Sequence, residues 1–119
     1  MDERINKALK ELKDAIRSCE DYKSFCAVKA EVDAEPELRR QIDDFRLRCF
    51  QLHNERADNP DFAELDRFFQ ESFEFRKNPL VDEYLKRELR VCRMLQEIGL
   101  ETMDAIDLGV QSFADRLKI

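Results

Sequence analysis

The sequence predicts an all-α fold: long antiparallel helices in a bundle, closed as an intertwined homodimer. Three observations carry this. First, only two glycines and three prolines punctuate 119 residues, whereas a sheet protein of this size needs many turns built from such residues. Second, 40% of the residues are charged and 43% hydrophobic, rich in the Leu, Ala, Glu, Lys and Arg that favour helices. Third, the apolar positions recur at spacings of three and four and add up to more helical surface than one copy can cover. The length suits one domain, 1–119, with a modest core.

The first helix is predicted from residue 3 to about 19. Ile5, Leu9, Leu12, Ile16 and Cys19 form its stripe, with Ala8 and Ala15 beside them. Ser18 followed by Asp21 fits a capping box, so a second helix is expected near Cys19 or Glu20; alternatively the first continues, since Tyr22 and Cys26 keep its phase. The next apolar set is Tyr22, Phe25, Cys26 and Val32, ended by "DAEPEL" because the residue before a proline is pushed out of helical geometry. Pro36 then suits a first helical turn. Leu38, Ile42, Phe45, Cys49 and Leu52 make a seam spaced four, three, four, three, as in packed helix pairs. Leu47 and Phe50 lie off that seam and predict a second neighbour.

Asn59-Pro60 and Asn78-Pro79 read as the same device used twice. In each, an asparagine caps a helix and a proline occupies its first turn, so one helix stops and the next starts with almost no loop. Between them, Phe62, Leu65, Phe69 and Phe73 make one stripe, and Phe68 and Phe75 another, displaced by about a hundred degrees. So wide an apolar arc predicts a helix enclosed from two sides. From Pro79 onward, Val81, Leu85, Cys92, Leu95, Met103, Ile106, Val110, Phe113 and Leu117 hold one face. Either a single helix runs through Gly99 or a helix pair bends there. Unbroken, it would reach about 60 Å, far beyond a compact radius of gyration of about 14 Å. A second copy is the expected cover. The expected oligomer interface is Phe62, Leu65, Phe68, Phe69, Phe73, Leu85, Cys92, Leu95, Ile106 and Phe113, in a homodimer or a dimer of dimers.

Several function classes are disfavoured. A net charge of −6 argues against direct binding of nucleic acid, which calls for clustered Lys and Arg. No apolar run is long enough to span a membrane, and "MDERINKALKELK" has no signal-peptide core, so the expected location is the cytoplasm. The four cysteines, Cys19, Cys26, Cys49 and Cys92, contain no CxxC pair and are expected to be reduced thiols, with Cys19, Cys49 and Cys92 on apolar stripes and read as core residues. His53 is the only histidine, placed where a cation favours the helix dipole. Clustered carboxylates such as Glu83 sit at ion-pair spacing from Arg87. There is no phosphate loop, GxSxG or HExxH, so no catalytic residues, no cofactor and no metal site are assigned. The expectation is that the protein is not an enzyme.

The run "NPLVDEYLKRELRVCRMLQEI" (78–98) resembles the N-P-x-V-x-E-Y-L signature of the YlbF/YmcA family of small bacterial helical regulators, carried here by Asn78, Pro79, Val81, Glu83, Tyr84 and Leu85. Residues 8–46 are similar to the same family: an amphipathic helix, a Ser-x-Glu-x-Tyr-x-x-Phe step, an acidic break and an aromatic-Arg pair at Phe45-Arg46. The resemblance implies a helical oligomer without enzymatic activity. It also implies an adaptor that assembles with itself, with paralogous family members and with an RNA-processing complex, influencing competence or development. Some relatives hold iron–sulfur clusters through a cysteine-bearing C-terminal tail. The sequence reaches Ile119 without one, which sets cluster binding in doubt. The leading expectation is a cytoplasmic regulator or adaptor acting through protein–protein contacts. The alternative is an iron–sulfur or thiol-based redox sensor using the helix cysteines. A weaker third is a holdase using exposed phenylalanines.

Overall fold

A computed structural model describes residues 1–55 and 61–117. The elements in order are α1 (Glu3–Ser18), α2 (Glu20–Asp33), α3 (Pro36–Glu55), α4 (Phe62–Phe75), α5 (Pro79–Asp104) and α6 (Val110–Leu117). No strand occurs among the described residues, as the composition requires.

Local chemistry explains the boundaries. The Asp2 carboxylate accepts from the amides of Arg4 and Ile5 at 2.8 and 3.3 Å and starts α1. The chain leaves helical geometry at Cys19 (φ −76°, ψ 156°). The boundary foreseen near residue 19 is therefore present, but its cause differs from a capping box. Ser18 Oγ donates back to the Asp14 carbonyl at 2.7 Å, and no side chain caps α2. Pro36 opens α3 as expected. Asn78 caps α5, its side chain accepting from the Leu80 amide at 3.0 Å, with Pro79 in the first turn. The other Asn-Pro pair, Asn59-Pro60, lies outside the described residues. Among the described residues, Asp61 caps α4, accepting from the Glu64 amide at 3.2 Å.

After Pro79 the sequence leaves two alternatives open: a single helix through Gly99, or a helix pair bending there. Helix α5 passes through Gly99 and ends at Asp104, about 39 Å from its start at 1.5 Å per residue. A turn follows in which Asp107 accepts from the Gly109 amide at 2.9 Å. Gly109 takes the left-handed φ of 69°, a conformation glycine adopts without steric cost. The apolar phase survives this turn into α6 although the helix does not.

Helices α2 and α5 run antiparallel and form the principal packing pair. Cys19 lies beside Met94 (Sγ–Sδ 3.9 Å), Arg87 donates to the Ser24 carbonyl at 3.1 Å, and the Phe25 and Tyr84 rings are 5.4 Å apart. The core consists of Val28, Val32, Leu38, Ile42, Val81, Tyr84 and Leu85, edged by Phe25, Phe45, Phe75 and Leu80. It draws on α2, the first half of α3, the end of α4 and the first turns of α5. No residue of α1 is fully buried, and Ile16 is half-buried. The outcome is a plate, 45 × 44 × 19 Å, with a radius of gyration of 19.0 Å, against about 14 Å for a compact chain of this length.

Two outcomes follow for stability. Ile42 is fully buried, so Ile42→Ala is expected to cost about 2–5 kcal/mol, read as a lower urea midpoint with an unchanged slope. Asp33 ties the end of α2 to α3, pairing with Lys29 at 2.7 Å and Arg39 at 3.3 Å. The Lys29 bond, opposed by desolvation and aided by Arg39, holds the Asp33 carboxyl below its ordinary 3.8. A depressed folded-state pKa contributes stability present above 3.8 and lost as pH falls through the folded value. Asp33→Asn is therefore expected to lower the melting temperature modestly at pH 7 and to flatten its decline below pH 4, as followed by circular dichroism.

Candidate functional site

Helix α4 carries two apolar stripes, and the structure gives them opposite fates. Phe68 and Phe75 turn inward onto α3. Phe45 stacks on Phe68 at 5.3 Å and meets Phe75 at 5.3 Å, while the Arg48 guanidinium lies 5.3 Å over the Phe68 ring and pairs with Glu71. The other stripe faces outward. Phe62, Phe69 and Phe73 are 72%, 59% and 68% exposed, and they follow one another at seven and four residues along a single helix face. The expected enclosure of α4 from two sides is thus not provided within the chain: one side is covered and the other is an open ridge of phenyl rings.

The remaining residues expected at an oligomer interface divide by location. Phe68 and Leu85 are buried by the chain's own helices, so they support a surface from beneath and cannot line one. Leu65 is half-buried between α3 and α4, Cys92 and Leu95 are exposed on α5, and Ile106 is exposed in the turn after it. The side chain of Phe113 lies outside the described residues. Leu47 and Phe50, off the α3 seam and expected to meet a second neighbour, stand exposed, so the described chain does not supply that neighbour; Leu100 and Leu108, which periodicity did not single out, are exposed as well.

The six signature residues build the fold. Asn78 and Pro79 make the corner, and Val81, Tyr84 and Leu85 sit in the core. Glu83 accepts from Arg87 at 3.0 Å on the surface. Tyr84 is the pivot of this group. Its hydroxyl accepts from Arg39 Nη2 at 3.2 Å, with the guanidinium 4.9 Å over its ring. Burial works against the Arg39 charge, but hydrogen bonds to Tyr84, Asp43 and Asp33 outweigh it and hold the guanidinium protonated above its usual range.

The cysteines do not gather. Cys19 and Cys49 are partly buried, while Cys26 and Cys92 are exposed, so the core role foreseen for Cys19, Cys49 and Cys92 holds in part for the first two and not for Cys92. Cys49 and Cys92 line one shallow cleft with Arg46, Arg76 and Glu88. Among the described residues no group of three or more His, Cys, Asp or Glu side chains could hold a metal ion. An iron–sulfur cluster requires converging thiolates. Burial instead pushes the Cys49 thiol up, so these residues do not fit such a cluster. No helix among the described residues is long and apolar enough to cross a membrane.

Comparison with known proteins bears on what this surface serves. Residues 5–107 match the family described as control of competence regulator ComK, YlbF/YmcA. A UPF0342 protein of Caldicellulosiruptor saccharolyticus is 25% identical over 105 residues, covering 87% of this chain and 88% of its own length. A UPF0342 protein of Caldicellulosiruptor bescii is 26% identical over 110 residues, covering 89% and 92% respectively. No solved structure matches.

Thiol chemistry gives a direct check on the geometry. Cys26 is expected to react with an aromatic disulfide reagent well ahead of Cys49, because burial disfavours the Cys49 thiolate. Mass spectrometry of the partly labelled protein reads the order.

Proposed function

We propose, since this chain belongs to the YlbF/YmcA family, that it is a non-catalytic regulatory adaptor whose phenylalanine ridge on α4 receives another protein. The family is linked to control of the competence regulator ComK and is regulatory in kind. Its description names no enzyme. The reading that the chain works by docking rests on one observation: Phe62, Phe69 and Phe73 stand open on one face of a helix whose opposite face is already packed. Monomeric proteins seldom leave a contiguous aromatic patch unless it meets a partner. Buried aromatic anchors supply most of the binding energy at protein interfaces.

The same reading includes self-association and action in the cytoplasm as one all-helical unit. Paralogous family members and an RNA-processing assembly are the further partners it names, and that part is supported by family resemblance alone. The rim of the ridge is mixed in charge: Glu64 follows Phe62, while Lys77 lies 5.3 Å over the Phe73 ring and pairs with Glu74 at 2.8 Å, so the ridge favours a partner surface led by an apolar pocket.

Phe69→Ser with Phe73→Ser removes two outward rings and leaves Phe68 and Phe75 in place. The double variant is expected to keep its urea midpoint and to lose about thirtyfold or more in affinity for host proteins retained specifically by the wild type. Quantitative capture from the native host reads this. Equal retention of the same proteins by both forms would refute the docking role of the ridge.

A further inference from the structure

We infer that α1 is a lipid-surface helix. It lies flat on a membrane carrying anionic headgroups, with its aliphatic stripe in the acyl boundary and its basic edges on the headgroups. This function is separate from docking at the α4 ridge.

The chain builds this helix and then leaves it uncovered. The Asp2 carboxylate caps it through the Arg4 and Ile5 amides. Every residue from Glu3 to Ala15 is exposed, and Ile16 is half-buried just before the chain leaves helical geometry at Cys19. Ile5, Leu9 and Leu12 nevertheless line up as an apolar stripe, 54%, 38% and 37% exposed, with Ala8 and Ala15 beside them. A lone helix of sixteen residues is only marginally stable in water even with a good cap. A strongly amphipathic helix of low overall hydrophobicity gains the missing apolar face by lying in the plane of a bilayer interface.

Charge identifies the occupant. Helix α1 holds Arg4, Lys7, Lys10, Lys13 and Arg17 against Glu3, Glu11 and Asp14. At about 100° per residue, Lys13 is the charge nearest the centre of the stripe, about 70° away. Arg4 and Arg17 come next, about 110° away on opposite sides. The three acids lie about 130° or farther from the centre, on the face turned from the stripe. The bases therefore border the apolar surface and the acids do not. Arg4, Lys7, Lys10 and Lys13 enter no ion pair among the described residues, and Arg17 has only a loose contact with Asp14 at 3.8 Å. Long Lys and Arg stems lie along apolar surface and carry their charge up to headgroup level, where each base adds attraction to anionic lipid.

The stripe lacks what a protein partner would call for. No aromatic residue stands between Glu3 and Ser18, whereas recognition interfaces centre on aromatic anchors. A lipid surface needs no shaped complement. The net charge of −6 does not oppose the binding, because the excess of acids lies outside α1. Exposed charges more than about 8 Å apart are largely screened at physiological ionic strength, and the sixteen residues of α1 extend about 24 Å from the join at Cys19.

The test is co-sedimentation of the full-length protein with vesicles. At millimolar lipid and physiological ionic strength, the wild type is expected to pellet with a phosphatidylcholine–phosphatidylglycerol mixture, and at least about fivefold less with phosphatidylcholine alone. Lys13→Gln with Arg17→Gln removes two bases beside the stripe and is expected to weaken binding to the mixture at least about tenfold. Leu9→Ser with Leu12→Ser is expected to weaken it as much by removing the apolar contact. No residue of α1 is fully buried, so both variants are expected to keep the urea midpoint of the wild type, and circular dichroism checks their helix content. Should they lose α1, Glu11→Lys serves in their place, adding a base on the side of Arg4 with an expected gain of about fivefold. A wild type that stays in the supernatant with the mixed vesicles would overturn lipid binding and leave the α1 stripe to a protein. Equal binding to neutral vesicles would overturn it too, as would folded variants that bind like the wild type. None of these results touches the role of the Phe69 and Phe73 ridge, which the capture experiment reads separately.

Discussion

The structure is organised around a single buried phenol. Tyr84 of α5 sits in an otherwise apolar core, and a buried hydroxyl there must find a hydrogen-bond partner. Arg39 of α3 supplies it, while Phe25 of α2 closes the other side of the ring. Arg39 is in turn held by Asp33 at the end of α2 and by Asp43 one turn along α3. One polar contact therefore sets the relative register of three helices. A slip of either helix past the other would leave the phenol or the guanidinium unmatched in low-dielectric surroundings. The packing of Val28, Val32, Ile42 and Val81 around it adds the bulk of the apolar contribution, about 1.5–3 kcal/mol for each such side chain.

That core is small and central, and this decides what the surface can be. With the interior filled by residues from the middle of the chain, the far ends of α1 and α5 and the outer stripe of α4 have nothing left to pack on. Two kinds of apolar surface result. The α4 ridge is aromatic, with covering rings beneath it that hold it rigid. The arms are aliphatic and edged with charge. Rigid aromatic anchors suit recognition of a shaped pocket, and aliphatic stripes with charged edges suit surfaces that offer no pocket.

Much of this was legible in the residues because it is local. The α3 seam from Leu38 to Leu52, the start at Pro36 and the corner at Asn78-Pro79 each follow from chemistry within a few positions. The signature that resembles the family lies on the same stretch that makes the corner and the pivot, within a family match that runs over residues 5–107. What failed was longer-ranged or a matter of competing bonds. Ser18 marked a boundary, yet its hydroxyl bonded backward into α1. The apolar phase ran on past Asp104, but periodicity carries no record of a turn whose length preserves it, so the break around Gly109 was hidden. The Arg39–Tyr84 contact joins residues far apart in sequence, and nothing in the spacing of charges announces it. The two stripes of α4 were visible, but which one the chain itself would bury depended on where Phe45 lay.

The confinement of the core to the centre of the chain has a consequence for divergence within the family. Mutations that redraw the outer edges of the first and fifth helices disturb no interior contact, so their cost in folding is slight. Sequence change there redraws the outer face while the interior stays as it is.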